Sequence, residues 1–411
     1  MDFSSYVARL DARVASLATA CVHAHVDGDE DPGGALETIV LSNAFRFTDA
    51  DQAAAAMQGD GSHVYARWGN PTVEALEVTL SALEGTEDTC ALASGMAAVT
   101  GALLAFLAQG DHVVAPRAMY SESARLLRER LPRFGIETTF VDATEPGAYE
   151  RALRPSTRLL YLETPANPNL ALTDLAQVVA LARSRGVLTV ADNTFATPFA
   201  QTPHALGVDL VLHSMTKAIA GHGDALGGCV SGRGEHVARV RDWAAKGTGA
   251  VLSPIAAFLI SRGLRTFPLR QRQQCLSAAV LAQRLAEHPA VAAVHHPSLL
   301  EGPSLALAER QMHAFGSIVS FELKGQGHTG SGGVSAMEAG KRALGRLKVV
   351  THAVSVGDLR SLAVHPASTT HASMSAEARA AALIADGLVR LSVGIEGVED
   401  LWVDLERAIP G

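Results

Sequence analysis

From residue 71 to residue 231 the chain alternates short apolar runs with longer amphipathic ones, and this alternation limits the folds open to it. The apolar runs are Thr89–Ala93, His112–Pro116, Glu137–Val141, Leu159–Glu163, Leu188–Ala191, Leu210–His213 and Gly227–Ser231. Helical periodicity falls between them, on Val73–Leu83, Met96–Leu107, Ser121–Leu131, Ala148–Leu153 and Leu175–Ser184. Strands that are apolar throughout and separated by helices predict a largely parallel sheet covered on both faces. The expected fold class is therefore α/β, with a mostly parallel seven-stranded sheet.

After Ser253-Pro254 the order changes. A long helical stretch, Ile255–Ala286, is interrupted near Pro268; strand patterns follow at Ile318–Leu323, Val349–Ala353 and Val389–Val393, and Leu401–Ala408 is a closing helix. Strands and helices in blocks predict a smaller C-terminal α+β domain. The expected organisation is an N-terminal arm (1–70), a large domain (71–262) and the α+β domain (263–411). The arm carries a helix at Tyr6–Ala20, a polar loop at Asp27–Gly34 and a turn at Gly59–Ser62, and Gly325–Gly333 is a glycine-rich turn. There is no internal repeat.

Composition narrows the partners. A net charge of −8 with no basic tract argues against nucleic acid. Cys90 to Gly110 carries no charged residue, a length that would permit a membrane helix. The interior Ser94-Gly95 and the strand-like start predict a buried strand, turn and helix instead, and no membrane association is expected. The N-terminus lacks a charged-then-apolar leader. Cys21, Cys90, Cys229 and Cys275 are widely spaced with no CxxC pair, which fits reduced thiols in a cytoplasmic protein. Cys21-Val22-His23-Ala24-His25, with Asp27 and Asp29, could in principle hold a metal, but none is expected.

In open α/β sheets, ligands bind beyond the carboxyl ends of the strands, so the residues after each strand carry the functional argument. Val211-Leu212-His213-Ser214-Met215-Thr216-Lys217 ends an apolar strand in hydroxyls and one lysine. A buried ammonium is costly unless paired or neutralised. A Schiff base with an aldehyde cofactor such as pyridoxal 5'-phosphate (PLP) is one useful neutralisation, and a strand-end lysine reaching solvent is the bland alternative. Ser94-Gly95-Met96 opens a helix whose amides could face a phosphate; it could equally be a plain strand-to-helix turn. Asp192 could pair with a pyridinium nitrogen or merely cap a helix. Tyr120 could stack on a flat ring, and Asn167, in the rigid turn Thr164–Pro168, could bond a ring oxygen. Arg390, on an apolar strand, needs a partner: either a substrate carboxylate, with Ser355 adding a hydroxyl, or an internal salt bridge to Glu396 or Asp358.

Seven segments in order then resemble the Cys/Met-metabolism family of fold-type-I PLP enzymes. They are Tyr65–Thr72, Ala93–Ala98, Glu163–Pro168, Ala191–Thr194, His213–Lys217, Ser355–Asp358 with His365–His371, and Arg390–Gly394. The resemblance spans residues 37–410. It implies that Lys217 holds PLP, Asp192 pairs with the pyridine nitrogen, and Tyr120 stacks on the ring. Gly95, Met96, Ser214 and Thr216 would hold the phosphate, and Arg390 and Ser355 the substrate α-carboxylate. It further implies that Tyr65 and Arg67 reach the phosphate of a neighbouring subunit, hence a homodimer at least and a homotetramer as the family norm. Lys217 and Tyr120 are the expected acid–base groups in loss or exchange of a γ-substituent on a small amino-acid substrate.

Departures from subfamilies bear on the reaction. Methionine γ-lyases carry cysteine where this chain has Glu122, and an acid after the lysine where Gly247 follows Lys246. Cystathionine lyases usually have glutamate where Arg360 stands before Ser361-Leu362; a basic residue there and the ending at His371 look more like sulfhydrylases, and His213 fits sulfhydrylases and methionine lyases better than cystathionine enzymes. The leading expectation is an O-acylhomoserine sulfhydrylase-like enzyme. Methionine γ-lyase, cystathionine γ-synthase or lyase, and a specialised-metabolism relative are alternatives in the same class. A non-catalytic PLP-fold binding protein is the alternative from another class. Glu122 and Arg360 are the expected selectivity residues, and His222 and Asp224 are expected to order the loop behind Lys217.

Overall fold

The computed structural model describes residues 2–24, 38–59, 61–325, 334–372 and 374–409. The loop Asp27–Gly34, the possible metal ligands His25, Asp27 and Asp29, residue Asp60, and all but the first residue of the glycine-rich turn lie outside them. Among the described residues no cluster of three or more metal-ligating side chains occurs, and no helix is long and apolar enough to cross a membrane.

Seven strands form the larger sheet: β1 (Asp88–Leu92), β2 (His112–Pro116), β3 (Glu137–Val141), β4 (Thr157–Glu163), β5 (Leu188–Asp192), β6 (Leu210–Ser214) and β7 (Gly228–Gly232), in the order β1-β7-β6-β5-β4-β2-β3. Strands β2 to β6 pair in parallel, whereas β7 is antiparallel to both β6 and β1. Only β7 therefore runs against the rest, and six carboxyl ends emerge on one edge. Within β4, Leu159 and Tyr161 join the core layer on one face, and Leu160 and Leu162 the layer on the other; all four are fully buried. Burial of such side chains contributes roughly 1.5–3 kcal/mol each, which outweighs the slightly weaker pairing of parallel strands. The helix Gly95–Leu104 covers one face; Leu175–Arg185, Pro71–Glu84 and Phe3–His23 cover the other.

The uncharged stretch Cys90–Gly110 resolves as expected into the end of β1, a turn and a ten-residue helix. The expected helix Ser121–Leu131 is less regular. It is α-helical only over Ser121–Arg125, then winds more widely through Leu126–Arg130 and tightens over Leu131–Phe134. Pro132 has no N–H to extend the ladder, and Gly135 closes the element at φ +72°.

The smaller sheet holds β8 (Val291–His295), β9 (Ile318–Leu323), β10 (Thr351–His352), β11 (Leu362–Val364) and β12 (Leu388–Ser392), in the order β10-β11-β12-β9-β8. Sequence patterning finds β9 and β12 but extends β10 too far and misses β8 and β11, both too short or too alanine-rich to carry a strand period. The helical stretch before it divides into Pro254–Leu264 and Phe267–Glu287, with Pro268 in the first turn of the second helix, where a missing N–H costs nothing. That second helix, with Ala336–Arg346 and Val398–Ala408, packs the smaller sheet's core.

Candidate active site

The common edge of the larger sheet faces β12 and the segment before β11 across a cavity of about 550 Å³. From the larger sheet it is lined by Gly95 and Met96 after β1, Tyr120 and Glu122 after β2, Glu163 and Asn167 at and after β4, Asp192 ending β5, and Ser214, Thr216 and Lys217 at and after β6. Ser355 and Arg390 close it from the other side. Eleven of the fourteen residues singled out from sequence or by resemblance thus meet in one place, or twelve residues with Glu163.

Backbone shape makes the anion-sized end of the cavity. Ser94 caps its helix, its Oγ accepting from the Ala97 amide at 3.1 Å. The remaining first-turn amides have no intrahelical partner and carry the positive end of the helix dipole. A Cβ on Gly95 would lie 2.7 Å from Ser214 Cβ, so only glycine lets this turn close on β6. Thr216 Oγ1 is held by the Gly227 amide at 3.1 Å. Amides and hydroxyls around a space that a side chain would fill suit a phosphate monoester.

Lys217 lies beyond that end. Its Nζ donates to Ser355 Oγ at 3.1 Å. Burial first, and then the positive field of Arg390, lower its pKa from the ordinary lysine value. Such an amine is disposed toward covalent and proton-transfer chemistry. Its loop is stitched down by Arg270, whose guanidinium donates to the carbonyls of Ala218 (2.9 Å), Ile219 (3.2 Å) and Gly263 (2.9 Å). Gly221, at φ +74°, has no room for a Cβ against that guanidinium. His222 Nδ1 meets the Ala220 carbonyl at 2.7 Å, ordering the loop as expected.

Asp192 accepts from the Thr194 amide at 3.0 Å, an Asx-type turn, and Tyr161 Oη lies 3.5 Å from its other oxygen. Burial raises its carboxyl pKa against the pull of Thr194; a cation placed opposite it would restore the ionised form. Tyr120 lines the wall, and its pKa is raised by burial and then by Glu122.

Arg390 is 5% exposed. Its Nη1 donates to Asn167 Oδ1 at 2.8 Å and its Nη2 to the Ser355 carbonyl at 3.3 Å, while Nε is buried without a partner. Burial lowers its pKa to about 10. Glu396 is taken by Ser361 and Asp358 by Arg360, so neither supplies the internal salt bridge. Asn167 Oδ1 is thereby committed to Arg390.

Three expected residues stand apart. Arg360 is exposed beside Asp358 and does not line the cavity. Tyr65 and Arg67 do not line it either; Arg67 bonds the Lys246 carbonyl and its guanidinium lies 5.7 Å from the Tyr65 ring. His213 points to the opposite face of the sheet, where its Nε2 is 2.5 Å from Glu84 Oε1, both groups fully buried. Sequence reading missed two residues of consequence. Arg270 sits inside an amphipathic helix and nothing local marks it. Glu163 carries a legible signal, an acid ending a wholly apolar strand.

A family model described as "Cys/Met metabolism PLP-dependent enzyme" matches residues 18–410. The chain is 42% identical to an L-methionine gamma-lyase of Pseudomonas putida over 97% of its length and 98% of the relative's. It is 36% identical to an O-succinylhomoserine sulfhydrylase of Pseudomonas aeruginosa, covering 91% of this chain and 90% of the other. The crystal structure of a cystathionine gamma synthase from Xanthomonas oryzae superposes with a TM-score of 0.87 at 41% identity, covering 96% of this chain and 97% of that one.

Proposed function

The chain belongs to the Cys/Met metabolism PLP-dependent enzymes, and within them we propose that it removes or exchanges the γ-substituent of a homoserine- or methionine-derived amino acid, with γ-replacement on an O-acylhomoserine as the leading reaction. The observation that carries this reading is a buried arginine without a carboxylate, Arg390, set across the cavity from a lysine amine of lowered pKa.

Lys217 Nζ is the amine that would hold the cofactor aldehyde. Gly95, Met96, Ser214 and Thr216 would hold its phosphate, Asp192 would face its ring nitrogen and Tyr120 its ring. When bound, PLP supplies an electron sink for carbanions at the substrate carbon next to the amine. Arg390 then binds the substrate α-carboxylate through two parallel N–H donors, assisted by Ser355, and so fixes Cα within reach of Lys217. Lys217 Nζ takes the proton from Cα and next moves one at Cβ. Tyr120, whose raised pKa keeps it protonated, is placed to give a proton to the departing γ-group. Glu122, on the cavity wall, contributes to selectivity for that group. Arg360 does not line the cavity of its own protomer, so a smaller part in selectivity is assigned to it.

Methionine γ-elimination is the second reading, favoured by the 42% identity to the P. putida lyase. Glu122 and Gly247, standing where that subfamily carries cysteine and an acid, weigh against it. The amino-terminal arm fits assembly: Tyr65 and Arg67, remote from their own cavity, would complete the phosphate site of a second copy in a homodimer or a homotetramer built from it. Four buried, unpaired cysteines suit a cytoplasmic setting.

Incubation with O-acetylhomoserine, O-succinylhomoserine, methionine and cystathionine, with and without sulfide, tests the assignment. Homocysteine formed from an O-acylhomoserine only when sulfide is present supports replacement. 2-Oxobutyrate from methionine at a higher kcat/KM than any replacement would transfer the assignment to the second reading.

A further inference from the structure

We propose that Glu163 is a positioning residue that sets Tyr120 and Arg390 in register with each other from a single carboxylate, an inference that rests on the roles given to those two residues above. Glu163 ends β4 and is 4% exposed, at the floor of the cavity. Its two oxygens are spent in opposite directions. Oε2 accepts from the Tyr120 amide at 2.8 Å, and Oε1 from the Asn167 amide at 2.9 Å. Asn167 in turn presents Oδ1 to Arg390 Nη1 at 2.8 Å. One side chain therefore ties the start of the segment bearing the ring-facing tyrosine to the turn that aims the arginine.

The charge matters as well as the geometry. Burial and then the charge of Asp192 push the Glu163 carboxyl pKa up, and the two backbone N–H donors, one on each oxygen, and Arg390 pull against that shift toward the ionised form. Arg390 is a buried cation that must keep its donors free for a ligand. A carboxylate bonded directly to it would satisfy it and block the site. Glu163 instead lies one residue behind, where its field favours the guanidinium while its oxygens are occupied elsewhere. Glutamine has the same shape but turns an NH2 group toward one of the two amides and removes the field.

The test uses Glu163→Gln and Asn167→Ala beside the wild-type protein, with readouts other than turnover. One is the equilibrium binding of glycine against glycinamide to the PLP-loaded protein, read by difference absorbance. The other is the dissociation constant for PLP from the cofactor-stripped protein. Wild type should prefer the carboxylate. Glu163→Gln should cut that preference at least ~10-fold, as expected for loss of a charge-assisted contact, and weaken PLP several-fold through Tyr120. Asn167→Ala should cut the preference as well, with any loss of PLP affinity limited to Asn167's own contacts, since the Tyr120 link is intact. A Glu163→Gln protein that melts earlier but keeps the wild-type preference would reduce Glu163 to a structural role and overturn the proposal. If Glu163→Gln does not fold, an unchanged preference in Asn167→Ala overturns it instead. Absence of any preference in wild type would overturn the role of Arg390 itself, and the proposal with it.

Discussion

Arg241 and Arg390 are both guanidinium groups taken largely out of water, one at the amino end of β1 and the other over the cavity at the opposite edge. Arg241 Nη1 meets both Glu77 oxygens at 2.9 and 2.8 Å, and its Nη2 meets Asp88 at 3.2 Å and the Thr89 carbonyl at 2.7 Å. Burial opposes its charge, but Glu77 overcomes this and holds its pKa above the usual arginine value. Arg390 has an amide oxygen, a carbonyl and the face of the Phe195 ring 5.7 Å away, with an unpartnered Nε and a lowered pKa. Among the described residues it has no ion pair. Arg241 is paired with carboxylates away from the cavity, whereas Arg390, over the cavity, is left short of one.

The sharpest way to break this contrast is to remove each arginine in turn. Arg390→Ala should lower kcat/KM by about 2–5 kcal/mol of lost interaction, roughly 30- to 5,000-fold, mostly through KM. Its urea midpoint should be unchanged or higher, because an uncompensated buried charge has gone. Arg241→Met should do the reverse. It strands Glu77 and Asp88 and should cost about 3–5 kcal/mol of stability, with KM unchanged in whatever remains folded. Equal stability losses in the two variants would erase the distinction.

A smaller effect separates the two residues first suspected of setting selectivity. Glu122 lines the cavity and Arg360 does not. Glu122→Cys should change the ratio of 2-oxobutyrate to homocysteine by about 10-fold, the scale of one pocket contact. Arg360→Glu should change it by less than about twofold, within the usual range for an exposed substitution. A larger response at Arg360 would mean that its side chain reaches a site beyond its own protomer.

The parts of the site legible in the sequence are those where a strand end fixes the side chain's address. Asp192, Ser214 and Lys217 follow from the rule that ligands sit beyond carboxyl ends, and Arg390 from the cost of a charge on an apolar strand. What the sequence leaves hidden depends on distant segments meeting. Arg270 holds the lysine loop from a helix 51 and 52 residues along the chain from the Ile219 and Ala218 carbonyls. That Asn167 Oδ1 meets Arg390 is hidden for the same reason, since nothing local joins the two. The wide turn at Leu126–Arg130 is likewise invisible to a pattern count, since its apolar residues keep a helical spacing. Strands β8 and β11 escape for lack of length or of β-branched residues, so the smaller sheet is read less completely than the larger.

The central claim is that Lys217 is the amine that carries the cofactor, and borohydride reduction of the PLP-loaded protein followed by peptide mapping tests it most directly. The account predicts a yellow protein, loss of its visible absorbance on reduction, and a pyridoxyl label on the peptide containing Lys217 alone. A label on another lysine, or no visible chromophore in a PLP-supplemented preparation, would contradict it.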